Sequence, residues 1–123
     1  MAQEVLAADQ EKINRFGNLN SQCIALRMEL ESLEKTKESY SNANDDLEEA
    51  QLMETFEKVP YKVGTAFVVL PIDTAIEELS GDKEKIEEKI EKIKAQIAER
   101  EDEMATLRTA LYSKFGRDNI NLG

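Results

Sequence analysis

The chain has 123 residues, of which 34% are charged and only 6% aromatic, with no Trp, a balance that suits long solvated helices better than a compact globule. A net charge of -10 argues against nucleic acid and membrane surfaces as partners, because phosphate contacts need clustered Lys and Arg. Histidine is absent and Cys23 is the single cysteine, which removes the commonest general base and metal ligand and any intrachain disulfide.

Met1 to Asp9 are mixed in character and expected to fray. Met1 to Ala8 lack the basic and apolar regions of a signal peptide, and no long apolar run follows, so the expected location is cytoplasmic. From Phe16 a heptad seam sets in: Phe16, Leu19, Cys23, Leu26, Leu30, Leu33, Lys37, Tyr40, Asn44 and Leu47 follow at alternating spacings of three and four. The intervening Glu, Lys, Gln and Ser form a solvated face, with pairs such as Glu31 and Lys35 one turn apart. After Leu47 the chain is acidic and irregular, and the helix ends there at a place the pattern does not mark. Asp45, Asp46, Glu48 and Glu49 lack the ligand spacing and turn glycine of a calcium loop and read as a solvated face.

Val59 to Pro71 is the one stretch with strand character. Gly64 supplies the positive φ of a tight turn between Tyr61-Lys62-Val63 and the run Ala66 to Leu70. The second strand is apolar on both faces, and a lone two-stranded hairpin is marginal in water. Val59, Tyr61, Val63, Gly64, Phe67, Val68, Val69 and Leu70 are therefore read as an assembly element that completes its sheet with strands of other chains. A hairpin folded down on its own helices would leave one apolar face bare and its edges open.

Thr74 and Glu77 have capping-box spacing and predict a helix start. Its seam is Leu79, Lys83, Ile86, Ile90, Ile93, Ile97, Arg100, Met104, Leu107 and Leu111. Gly81 costs about 1 kcal/mol relative to Ala in a helix interior and marks a kink or a late start at Ser80. Gly116 is a natural stop. The two seams are of nearly equal length, each about 50 Å of helix, and a hairpin between them lets the chain reverse into an antiparallel coiled coil. Contacting positions should then sum to about 126, which pairs Phe16 with Leu111, Leu26 with Arg100, and Asn44 with Lys83 as a register-fixing polar layer.

No catalytic, cofactor or metal constellation is present, and Cys23 falls on the seam as a small packed residue. Apolar groups gather instead where both helices run out: Ile13, Phe16, Leu107, Leu111, Tyr112, Phe115, Ile120 and Leu122. Phe16, Leu107 and Leu111 have a core role open to them as seam residues. Ile13, Phe115, Ile120 and Leu122 lie off the seam or beyond Gly116 and form either a contact surface for another protein or a tail packed back on its own helices.

Asp9-Gln10-Glu11-Lys12-Ile13-Asn14-Arg15-Phe16, then Val59-Pro60-Tyr61-Lys62-Val63-Gly64 followed by Phe67, then Leu111-Tyr112-Ser113-Lys114-Phe115-Gly116 and Asn119-Ile120-Asn121-Leu122 resemble the β-class prefoldin subunits. The spacer through Arg117 and Asp118 is one residue longer than the family pattern. The resemblance implies one domain over residues 1–123: a helix over roughly 10–50, a β-hairpin over 59–71, a second helix over 74–115 and a tail over 116–123. The implied fold class is mainly α, a long antiparallel two-helix coiled coil whose hairpin pairs with other subunits in a β-barrel platform. It further implies a hexamer in which this chain joins two α-class and three further β-class subunits. The complex is expected to be an ATP-independent co-chaperone without enzyme activity or cofactors. It would capture non-native actin and tubulin at the coiled-coil tips and deliver them to the group II chaperonin. Client contact is then expected at Ile13, Phe16, Leu111, Tyr112, Phe115, Ile120 and Leu122. The alternative from the residues is a structural coiled-coil adaptor that holds fixed partners and binds no unfolded chains.

Overall fold

The computed structural model describes residues 6–117, 119, 120 and 122. Met1 to Val5 of the expected frayed start, Asp118 of the spacer, Asn121 of the C-terminal motif and Gly123 lie outside the described residues. Helix α1 spans Ala7–Leu52 and α2 spans Ile72–Phe115; between them β1 (Lys58–Val63) and β2 (Ala66–Pro71) pair antiparallel in a two-stranded sheet. None of the seam positions predicted on either helix is exposed, so the heptad pattern does mark the packed faces. The chain packs as two compact units, one from the residues up to Leu30 with those from Lys92 onward, the other from Glu31–Glu91.

In the first, or terminal, unit the helices run antiparallel. Asp9 meets Lys114, Arg108 lies over the Phe16 ring at 5.3 Å, and Cys23 Sγ is 3.9 Å from Met104 Sδ, all close to the expected register. Arg100 is half-buried and donates to Gln22 Oε1 at 2.8 Å, making a polar layer within the seam. The helix start differs from expectation. Asp9 was expected to fray, yet it is only 5% exposed. Its carboxylate accepts from the Leu6 N–H at 3.0 Å, taking one of the donors that a helix N-terminus leaves orphaned, so α1 begins at Ala7.

In the second, or hairpin, unit α1 ends in a Schellman motif. The Thr55 N–H donates to Ala50 O (3.0 Å) and the Glu54 N–H to Gln51 O (3.2 Å), with Glu54 left-handed at φ 53. This stop carries no glycine, which is why the sequence does not mark it. Helix α2 begins at Ile72, directly after β2, and Thr74 is inside the helix rather than at its cap. The Ile72 N–H donates to Glu57 O at 3.0 Å, and burial of Ile72 and Ala75 extends the packed stripe ahead of Leu79. Helix α2 runs through Gly81 without a break, so Gly81 does not delay its start. Asn44 and Lys83, expected as a polar layer, are both half-buried, and the Asn44 amide donates to Glu48 Oε1 one turn along its own helix at 3.2 Å.

Candidate assembly and client-contact surfaces

The hairpin turn has Gly64 at φ 62 as its first loop residue, and Val63 faces Ala66 across it. A positive φ at the first of two loop residues alone is the type II′ arrangement, which matches the twist of the strands. The pairs Val63–Ala66, Tyr61–Val68 and Val59–Leu70 share one face, and Lys62–Phe67, Pro60–Val69 and Lys58–Pro71 the other. On the first face Val59, Tyr61 and Leu70 are half-buried. The Tyr61 hydroxyl donates to Asp82 Oδ2 of α2 at 2.6 Å, fastening this face to the helix. Burial and the Asp82 carboxylate both push the phenol pKa up, so Tyr61 remains a donor. The second face is bare: Phe67 is 69% and Val69 65% exposed.

The turn also decides which backbone groups point outward. Val63–Ala66 is the hydrogen-bonded closing pair, so Tyr61–Val68 and Val59–Leu70 are hydrogen-bonded too, and the Ile72 to Glu57 bond continues that alternation. Lys58, Pro60 and Lys62 then turn their backbone groups away from β2, and Phe67, Val69 and Pro71 turn theirs away from β1. The outer edge of β1 is thus guarded by a proline and two lysines, whereas β2 offers free groups at Phe67 and Val69. Beside the hairpin, Leu47, Ala50, Phe56, Val59, Phe67 and Leu79 line an apolar groove of about 470 Å³. Leu52, Met53 and Phe56, off the seam and not singled out by the sequence, are also exposed.

In the terminal unit Phe16, Leu19, Cys23 and Met104 form a buried cluster, with Leu107 and Leu122 packed against it. Of the seven residues expected to touch clients, Phe16, Leu111 and Phe115 are buried, and Ile13, Tyr112, Ile120 and Leu122 are half-buried. Leu122 follows the fold-back alternative for the tail. Cations cover three aromatic rings: Arg108 over Phe16, Lys114 over Phe115 at 5.3 Å and Arg117 over Tyr112 at 5.6 Å. Lys114 also pairs with Asp9, whose carboxyl is held below its ordinary range first by that hydrogen bond and then by the Leu6 N–H. Sequence reasoning missed this clasp, because the partners are distant in the chain and neither stands out alone. Arg15 grips Glu103 through two bonds of 3.0 Å, which raises the arginine pKa and lowers that of the carboxyl. Among the described residues no cluster of three or more Cys, Asp or Glu could hold a metal ion, and no helix is long and apolar enough to cross a membrane.

Two heptad-bearing helices with a single strand pair inserted between them define a helix–hairpin–helix class of coiled-coil protein. The chain belongs to the prefoldin subunit family, whose model matches residues 10–118, in accord with the family resemblance of its motifs. It is 35% identical over 120 residues to prefoldin subunit 4 of Saccharomyces cerevisiae, covering 97% of this chain and 89% of that protein. It is 31% identical over 114 residues to prefoldin subunit 4 of Homo sapiens (93% and 83% covered), and 34% identical over 119 residues to a probable prefoldin subunit 4 of Dictyostelium discoideum (97% and 87% covered). The family is one of chaperone-type, non-enzymatic complex subunits.

Proposed function

We propose that this chain is a β-class subunit of a cytoplasmic, hexameric, ATP-independent co-chaperone that also holds two α-class and three further β-class subunits. In this reading the complex captures non-native actin and tubulin and delivers them to the group II chaperonin. The observation that carries it is the bare outer face of the hairpin at Phe67 and Val69 beside a strand edge with free backbone groups. A two-stranded sheet gains its missing stability when partner strands cover both, and in the proposed complex those strands build a β-barrel. Val59, Tyr61, Val63, Gly64, Phe67, Val68, Val69 and Leu70 are the proposed assembly residues. Clients are proposed to contact the apolar end of the terminal unit, Ile13 and Tyr112 directly and Phe16, Leu111 and Phe115 as the unit loosens, in the patch that Ile120 and Leu122 of the tail also occupy. Weak contacts from several subunits would then act together by avidity.

Native mass spectrometry of the chain alone and mixed with candidate prefoldin partners tests assembly. A hexamer containing one copy is expected, and a monomer or homodimer unchanged by partners would refute the proposal. Burial of Phe16, Leu111 and Phe115 favours a second reading, the adaptor with fixed partners. Truncation after Ser113 separates the two: it spares assembly in both, and only in the chaperone reading does it reduce suppression of actin aggregation.

A further inference from the structure

One apolar side chain reaches the terminal cluster by a route that no helix provides. At the end of α2 the Gly116 N–H donates to Tyr112 O at 2.9 Å with φ 82, turning the chain out of the helix. The Asn119 N–H then donates to Gly116 O at 3.2 Å, and its side-chain Nδ2 donates to Phe115 O at 2.7 Å. That second bond satisfies one of the helix's last carbonyls and fixes the tail's reversal. Beyond it, Leu122 lies on the cluster of Phe16, Leu19, Cys23 and Met104, while Ile120, two residues earlier, is half-buried. Among the described residues no strand or further helix holds the tail. A short turn and one aliphatic foot are the kind of contact that opens locally well before the helices separate.

We propose that the C-terminal tail is a resident, displaceable occupant of the client site, with Leu122 seated where an aliphatic side chain of an unfolded client binds. The ligand class follows from the occupant: an extended segment with branched aliphatic residues at alternate positions, as Ile120 and Leu122 are spaced. This rests on the client-capture reading and adds its regulation. The idle subunit keeps its cluster dry, and a client has to compete with a tethered ligand, so apparent affinity falls by the fraction of time the tail is down.

The test compares the assembled complex carrying the unaltered subunit with complexes carrying a truncation after Gly116 or Leu122→Ser. Reduced, carboxymethylated α-lactalbumin serves as a permanently unfolded probe. Both variants are expected to bind it about three- to tenfold more tightly, and a free peptide of residues 117–123 is expected to reverse the gain in the truncated complex. Unchanged or weaker binding by the variants overturns the proposal, since the tail would then be inert or a client contact itself. Should a variant fail to assemble, methyl NMR of Leu122 in the intact complex decides: saturating probe is expected to move its signals to free-peptide positions, and unmoved signals overturn the proposal. If neither intact nor variant complexes bind the probe, the client-capture reading itself falls, an outcome distinct from binding that the tail does not affect.

Discussion

Glu54 holds a left-handed conformation at φ 53 where α1 stops, a place that suits glycine because a Cβ there crowds the backbone. Glu54→Gly is expected to stabilise the folded chain by about 0.5–1 kcal/mol, the relief of strain being partly offset by a freer unfolded state; thermal unfolding of the isolated subunit checks it. Asp9 makes a prediction of opposite sense. Its carboxyl titrates lower in the folded chain than in the unfolded one, so its contribution is complete above the unfolded value of about 4 and is lost as pH falls through the folded value. Asp9→Asn should therefore melt below the parent at neutral pH, with the gap closing as the pH falls below about 4. A gap independent of pH would mean that the Lys114 pair contributes nothing.

Among the elements, the hairpin is tied to α2 by the side-chain hydrogen bond of Tyr61. Tyr61→Phe removes the donor to Asp82 and leaves a half-buried carboxylate unpaired, a loss of about 1 kcal/mol. Amide exchange in β1 and β2 is expected to quicken while exchange around Ile97 stays as it was. Both seams, the strand pair and the Gly64 turn were legible in the sequence because each rests on a local period or on a glycine where φ must be positive. The start of α2 was not, since Thr74 and Glu77 mimic a cap while burial of Ile72 and Ala75 sets the boundary. The apolar ends of both candidate surfaces could be named from composition alone. Whether Leu122 pointed outward or back could not, because its cluster is assembled from Phe16, Leu19, Cys23 and Met104 on two helices far apart in the chain.

For the whole molecule, the two sides of the hairpin are unequal. The edge of β1 shows Lys58, Pro60 and Lys62 outward, and that of β2 shows Phe67 and Val69. Pro60→Val would restore a donor to the guarded edge. The free chain carrying it is expected to sediment as larger, concentration-dependent species where the parent stays monomeric or dimeric; identical sedimentation of the two would discount the proline. The asymmetry bears on supply. A chain in excess of its partners has to wait with its two-stranded sheet unfinished. Two surplus copies of this one can meet along β2, but each then turns a barred edge to the third, so ribbon growth ends at the pair. A leftover chain is then expected to stay small and retrievable until a partner strand arrives.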